Sequence, residues 1–206
     1  MSTADLLATW LNNFSALVDE HKDYLTQLDA AIGDADHGAN MARGMKAVVA
    51  AIDPSESAPA MLKKTGMTLL GNVGGASGPL FGTLFLKMAA TIGDDEELTA
   101  DALATAFKAG VDGVKTRGKA EAGEKTMLDA LLPAQEALDD ALASGASLSD
   151  AVQQMAKAAD EGRAATEQMK ATKGRASYQG DNSIGHLDPG ATTVSYLLQA
   201  LVAAVD

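Results

Sequence analysis

The stretch QLDAAIGDADHGANMARGM, residues 27 to 45, places Asp29, Asp34 and Asp36 within eight residues, followed by His37 and Gly38. The chain already carries a net charge of -12, so gathering three more carboxylates is costly unless something positive sits among them. Asp29 and Asp34 are five residues apart, about 140° around a helix, so an unbroken helix cannot bring them together. Gly33 can break the helix and turn Asp34 and Asp36 back toward Asp29. Three convergent carboxylates suit a hard cation with oxygen ligands, Mg2+ or Ca2+. An EF-hand loop does not fit: counted from Asp34, its sixth position is Ala39 rather than glycine and its twelfth is Met45 rather than glutamate. Mg2+ takes a few carboxylates and completes its shell with water and substrate phosphate. The plainer reading is a solvated acidic loop in which Asp36 caps the next helix.

Other segments offer what a phosphate chain needs. Helix N-termini present unpaired N–H groups and the positive end of the helix dipole. Helix starts are expected after His37-Gly38, after Gly74-Gly75-Ala76-Ser77-Gly78-Pro79 and after Asp188-Pro189-Gly190. In each, glycine lets backbone approach an anion, and Asp188 with Pro189 also reads as an ordinary N-cap and first helical position. Arg175, in a non-periodic stretch, could add a positive charge to a phosphate or be a surface residue. GKAEAGEKT (118–126) is not a Walker A loop, having an extra Glu124 and no preceding strand, and no dinucleotide fingerprint is present. Of the three histidines, His21 reads as a helix-surface residue and His186 as ambiguous. His37 is either a phosphate contact or a phosphohistidine candidate.

These residues must be positioned by helices. Apolar residues recur with a period near 3.6 along the whole chain, and no strand pattern appears. Leu6, Leu7, Trp10, Leu11, Phe14, Leu17 and Val18 form one stripe, and Tyr24, Leu25, Leu28 and Ile32 another. Further helices fit 40–52, 59–73, 79–92, 99–115, 126–143, 148–170 and 190–205, with Leu148, Val152, Met155, Ala159, Gly162 and Met169 sharing one face of the 148–170 segment. Short connections imply antiparallel neighbours, so alternate loops fall at the same end. All four glycine-rich loops, IGDADHGAN, GNVGGASGPLFG, TRGKAEAGEKT and KGRASYQGDNSIGHLDPGATT, then share one end. The 206 residues, 47% hydrophobic and 21% charged, suit a single globular domain spanning 1–206. The acidic balance argues against a nucleic-acid partner. The absence of cysteine excludes disulfides, a thiolate nucleophile and a Cys zinc site. The N-terminal MSTADLLATWLNNFSALVDE has no basic segment, and no apolar run reaches membrane-spanning length, so a cytoplasmic protein with no membrane partner is expected.

The segments LDAAIGDADHGANM, TGMTLLGNVGGASGPLFGT, DGVKTRGKAEAGEKTMLDAL and KGRASYQGDNSIGHLDPGATT resemble, in order and over nearly the whole chain, the nucleotide-binding L subunit of bacterial dihydroxyacetone kinase. The resemblance implies an all-α, up-and-down antiparallel barrel of about eight helices, with the nucleotide at one rim. It implies Asp29, Asp34 and Asp36 as ligands of two magnesium ions. His37, Gly38, Ala39 and Asn40 match a nucleotide-contacting turn, Ala76 and Ser77 a phosphate-contacting turn, and Gly118 and Met127 positions near the adenosine. Arg175 matches a catalytic lid residue, and Asp188, Pro189 and Gly190 the lid hinge. The separate-subunit form, favoured for a chain of this length, keeps ADP as a coenzyme. A phosphotransferase-system subunit recharges it to ATP, and the phosphoryl group passes to dihydroxyacetone on a substrate-binding subunit. Some relatives contact a transcription regulator. Three alternatives stay open: an ATP-dependent subunit for a related ketose, a phosphohistidine carrier using His37, and a non-catalytic regulatory helical module.

Overall fold

The computed structural model describes residues 1–95 and 97–206. Among these there are nine α-helices and no strand: α1 (Thr3–Glu20), α2 (Lys22–Ile32), α3 (His37–Ala51), α4 (Ala58–Asn72), α5 (Ser77–Ala89), α6 (Ala100–Gly118), α7 (Leu128–Ala143), α8 (Leu148–Ala165) and α9 (Pro189–Val205). Only His21 separates α1 from α2. Its N–H donates to the Leu17 carbonyl (3.0 Å), and its own carbonyl accepts from Leu25 N (2.9 Å). The hydrogen-bond ladder therefore runs through the break, and the two helices count as one rod of eight. Each rod packs on the one before it, and α9 closes the ring on α1, where Trp10 Nε1 donates to the Leu197 carbonyl at 2.8 Å.

The ring encloses one continuous apolar core. Trp10, Phe14, Phe81, Phe85 and Phe107 are fully buried, with the Trp10 and Phe85 rings 5.7 Å apart. Each such side chain stabilises the fold by about 1.5–3 kcal/mol relative to leaving it in water. With so few aromatics, the remaining space closes by bringing helices near one another. Glycines permit this: a Cβ on Gly66 of α4 would lie 2.8 Å from the Gly82 carbonyl oxygen of α5, and one on Gly162 of α8 would lie 2.1 Å from the Asp129 carbonyl oxygen of α7. None of the described helices is long and apolar enough to cross a membrane.

Two expected elements differ from the structure. The helix expected over 148–170 ends at Ala165 and passes into a 3-10 turn at Thr166–Gln168, which takes Met169 off the shared face. There the Thr166 hydroxyl donates to the Arg163 carbonyl at 2.6 Å and Met169 N turns back to the Thr166 carbonyl. The stretch after it is not structureless: Arg175–Ser183 winds in 3-10 turns interrupted at Gly180, with φ 56° and ψ -128°. The hydroxyls of Ser177 and Ser183 donate to the carbonyls of Gly174 and Gly180, both at 2.7 Å. Such local side-chain-to-backbone bonds build turns without an apolar period, so periodicity gives no sign of them.

Candidate functional site

The four glycine-rich connections do meet at one end of the ring, around a single cleft. On its floor, α2 stops at Ile32 and the chain reverses through Gly33 and through Ala35, which takes a left-handed conformation (φ 62°). A Cβ on Gly33 would lie 2.0 Å from Asp29 Oδ1, so only glycine lets the chain fold back over that carboxylate. The turn brings one oxygen each of Asp29, Asp34 and Asp36 within 4.8 Å of one another, the convergence their spacing called for. Asp29 is buried, and its Oδ2 accepts from the N–H groups of Asp36 (2.8 Å) and His37 (3.1 Å). Asp36 stands at the N-cap of α3 but makes no capping bond through its side chain, contrary to the plainer sequence reading. Asp29 serves the first N–H groups instead, which frees the Asp36 carboxylate for another partner. A cation is accepted beside these carboxylates: the Arg175 guanidinium lies 3.1 Å from Asp34 Oδ2. The oxygen-only donor set and its spacing fit a hard divalent ion such as Mg2+.

Three helix N-termini, those of α3, α5 and α9, open on this cleft, where His37, Asn40, Ala76, Ser77, Asp188, Pro189 and Gly190 all line the wall. His37 is buried and ties the three together: Nδ1 pairs with Ser77 Oγ at 3.0 Å on α5, and Nε2 with Thr193 Oγ1 at 2.7 Å on α9. Burial lowers its pKa to about 4, against the pull of Asp29 and Asp36. With both ring nitrogens engaged and the ring enclosed, His37 is held as a strut between helices, an arrangement that does not favour a phosphoryl carrier. Asn40 Oδ1 accepts from Arg43 Nη2 at 2.7 Å, which sets its Nδ2 beside Gly74. Gly38 and Ala39 follow in the first turn of α3. Gly38 is required on the far side of that turn, where a Cβ would strike the Lys22 carbonyl oxygen at 1.9 Å. His21, expected on the open helix surface, is partly covered, its ring stacked on Tyr196 with centroids 4.8 Å apart.

An adjoining hollow is lined by Gly118, Val114, Ala76, Leu80, Met127 and Leu128, and is largely apolar. Met127 borders both spaces. Lys173, Gly174, Arg175 and Ala176, from the 170–185 segment, border the cleft. The far end of that segment leads to Asp188, whose Oδ2 caps α9 by accepting from Ala191 N at 2.7 Å, as Asp188-Pro189 foretold. Burial pushes the Asp188 carboxyl up to about 7, the Ala191 N–H holds it back, and Asp129 pushes it further up.

Sequence reasoning missed Lys125 and Asp129. Asp129 is buried and accepts from Gly123 N (2.5 Å) and Thr126 N (2.8 Å), which shapes the loop before α7. The Thr-x-x-Asp spacing of Thr126 and Asp129 is the signal that could have exposed this helix start. Lys125 is buried although it is a lysine, and it borders the cleft.

Comparison with known proteins bears on this geometry. The DAK2 domain family model matches residues 31–203. The chain is 44% identical over 206 residues to the PEP-dependent dihydroxyacetone kinase, ADP-binding subunit DhaL of Escherichia coli (strain K12), covering 96% of this chain and 95% of the relative. It is 42% identical over 207 residues to the PTS-dependent dihydroxyacetone kinase, ADP-binding subunit DhaL of Lactococcus lactis, covering all of both. In fold it is similar to the crystal structure of the dihydroxyacetone kinase from C. freundii in complex with AMP-PNP and Mg2+. That match has a TM-score of 0.75 at 24% identity, and covers 98% of this chain and 34% of that longer one.

Proposed function

The chain belongs to the DAK2 domain family, and on that premise we propose that it is the nucleotide-carrying subunit of a phosphotransferase-system-dependent dihydroxyacetone kinase. It keeps Mg-ADP as a coenzyme, receives a phosphoryl group from a phosphohistidine subunit of the phosphotransferase system, and passes it to dihydroxyacetone on a substrate-binding subunit. The observation that carries this reading is the meeting of three carboxylates and three helix N-termini on one cleft, beside an apolar hollow.

Asp29, Asp34 and Asp36 would hold two magnesium ions, which would supply positive charge to offset that of the transferred phosphoryl group. The open N-termini of α3 and α5 receive phosphate oxygens through backbone N–H groups at Gly38, Ala39, Ala76 and Ser77, assisted by the helix dipoles. Asn40 adds an amide donor beside them. Gly118 and Met127 face the adenosine, for which an apolar hollow with a glycine at its edge suits a flat ring. His37 keeps the ends of α3, α5 and α9 at fixed separation, so the donors are in place before the charge moves. Arg175 is the mobile cation. Paired with Asp34 here, its guanidinium is within reach of the phosphate side of the cleft, where its planar fork matches a phosphoryl group. Asp188, Pro189 and Gly190 form the hinge from which that segment moves. No side chain of this chain is assigned as a base, and the substrate hydroxyl is activated on the partner subunit.

Heating the purified protein and chromatographing the released small molecules tests the reading. Adenine nucleotide with magnesium, near one nucleotide per chain, is the expected result. Protein that neither carries nor takes up adenine nucleotide contradicts it, and acid-labile phosphate on the protein alone would return the carrier alternative.

A further inference from the structure

Lys125 is a fully buried lysine in a left-handed backbone conformation, φ 61°. A non-glycine residue held there costs about 1–2 kcal/mol, so the surroundings must compensate. They do so at the ammonium group. Nζ donates to the carbonyls of Thr166 (2.7 Å), Met169 (3.2 Å) and His186, which uses all three of its protons. Burial pulls its pKa below the usual lysine value, while Asp188 and Glu167 raise it.

The three carbonyls are far from Lys125 in sequence and are not a random set. Thr166 and Met169 precede the segment that carries Arg175, and His186 follows it, two residues before the α9 cap. One ammonium therefore joins both legs of the loop at its neck. Weaker ties run the same way: Gly185 N donates to the Glu167 carbonyl at 2.7 Å, Ala171 N to Ser183 Oγ at 2.9 Å, and Asp188 N to Thr166 Oγ1 at 3.0 Å. Lys125 itself stands two residues before Met127, which borders both the cleft and the apolar hollow.

We propose that Lys125 is a positioning residue that locks the neck of the Arg175 loop, so that the loop closes in one register over a bound nucleotide. The proposal rests on the nucleotide-carrying reading. Contact of a nucleotide at Met127 and closure of the loop meet at this one side chain, so occupancy and loop order are linked. Removing the ammonium leaves three carbonyls without their donor and loosens the neck, while the aspartates and open helix ends stay as they are.

The loop itself supplies the readout, because Lys170, Lys173 and Arg175 are tryptic sites. The test compares wild type with Lys125→Met, which keeps the length of the side chain without its donors. Limited trypsin digestion is run with and without saturating Mg-ADP, ADP affinity is measured by calorimetry, and turnover is measured with the partner subunits present. In wild type, Mg-ADP protects the loop. In Lys125→Met, cleavage within the loop with Mg-ADP bound is expected to rise by about tenfold and turnover to fall by about tenfold, while ADP affinity changes by less than about threefold. A Lys125→Met protein whose loop is protected by Mg-ADP as in wild type overturns the proposal. So does a variant whose affinity and turnover fall by the same factor, since that marks a merely structural lysine. Lys125→Gln, which keeps one amide donor, is expected to fall between, and carries the same comparison if Lys125→Met does not fold. Wild type that takes no Mg-ADP fails the functional reading itself, and is recognised before any variant is made.

Discussion

The two ends of the ring begin their helices in opposite ways. At the end away from the cleft, α1, α4, α6 and α8 each start behind a Ser or Thr whose hydroxyl accepts from the N–H three residues on. The pairs are Ser2 to Asp5, Ser57 to Ala60, Thr99 to Ala102 and Ser147 to Asp150. At the cleft end, α3 starts behind Asp36, α5 behind Ala76 and α7 behind Met127, none with a side-chain capping bond, and only α9 is capped, by Asp188. The first turn of any helix has N–H groups without intrahelical partners. One end satisfies them from the cap residue itself; at the other only Asp188 does so, Asp29 and Thr126 reach His37 N and Leu128 N from outside the cap position, and the start of α5 is left without a side-chain partner beside three carboxylates. The difference separates what keeps the barrel folded from what lets it bind.

The largest effect should come from the carboxylates. Asp34→Asn, with helical content by circular dichroism near wild type, should lose magnesium-dependent ADP retention. A chelator added to wild type should do the same and lower the melting temperature. For nucleotide at a hundredfold excess over its Kd, the loss is about 2.7 kcal/mol, or about 5–10 °C for a chain of this length. Retention of ADP by Asp34→Asn at wild-type affinity would remove the metal assignment.

Arg175→Ala comes next. It should slow phosphoryl transfer by about a hundredfold in single-turnover measurements while weakening ADP binding much less, because its charge acts on the group in flight. Arg175→Lys should recover only part of the rate. Equal losses in rate and affinity would make Arg175 a clamp on the resting nucleotide.

At the opposite end the effects are smaller and of another kind. Thr99→Ala should cost about 1 kcal/mol of stability by denaturant unfolding and leave ADP affinity unchanged. The smallest lies on the outer face, where Arg163 Nε donates to Asp160 Oδ1 at 2.7 Å and Ser195 Oγ to the same oxygen at 2.9 Å. The bond from Arg163 lowers the Asp160 pKa below its usual value of 3.8. Its stabilisation is therefore present above that value and lost as pH falls through the lowered one. Asp160 is 48% exposed, so Asp160→Asn should cost about 0.5 kcal/mol at neutral pH and nothing once the carboxyl is protonated.

The helices and the common end of the four loops were legible because both follow from local rules: a period of 3.6 and antiparallel alternation. Asp29, Asp34 and Asp36 were legible because Gly33 marks the only way such a spacing can converge. The start of α9 was legible in Asp188-Pro189. Lys125 was not, since its partners are backbone carbonyls 41 to 61 positions away, and a carbonyl leaves no trace in residue type. Gly38 was legible as special, but not that its missing Cβ also makes room for the carbonyl of Lys22 on α2. His37 offered two readings, and the partners that hold its ring, Ser77 and Thr193, are distant in sequence and leave no local pattern from which to choose.

The central claim is that the uncapped helix ends belong to the ligand, and one calorimetric comparison tests it most directly. Mg-ADP is titrated into wild type, into Ala76→Asp, which sets a negative charge on the open start of α5, and into Ser147→Ala, which uncaps α8 at the other end. Ala76 is exposed, so its replacement should leave the fold intact. The account predicts an affinity loss of about tenfold or more for Ala76→Asp and wild-type affinity for Ser147→Ala. Wild-type affinity in Ala76→Asp would contradict it.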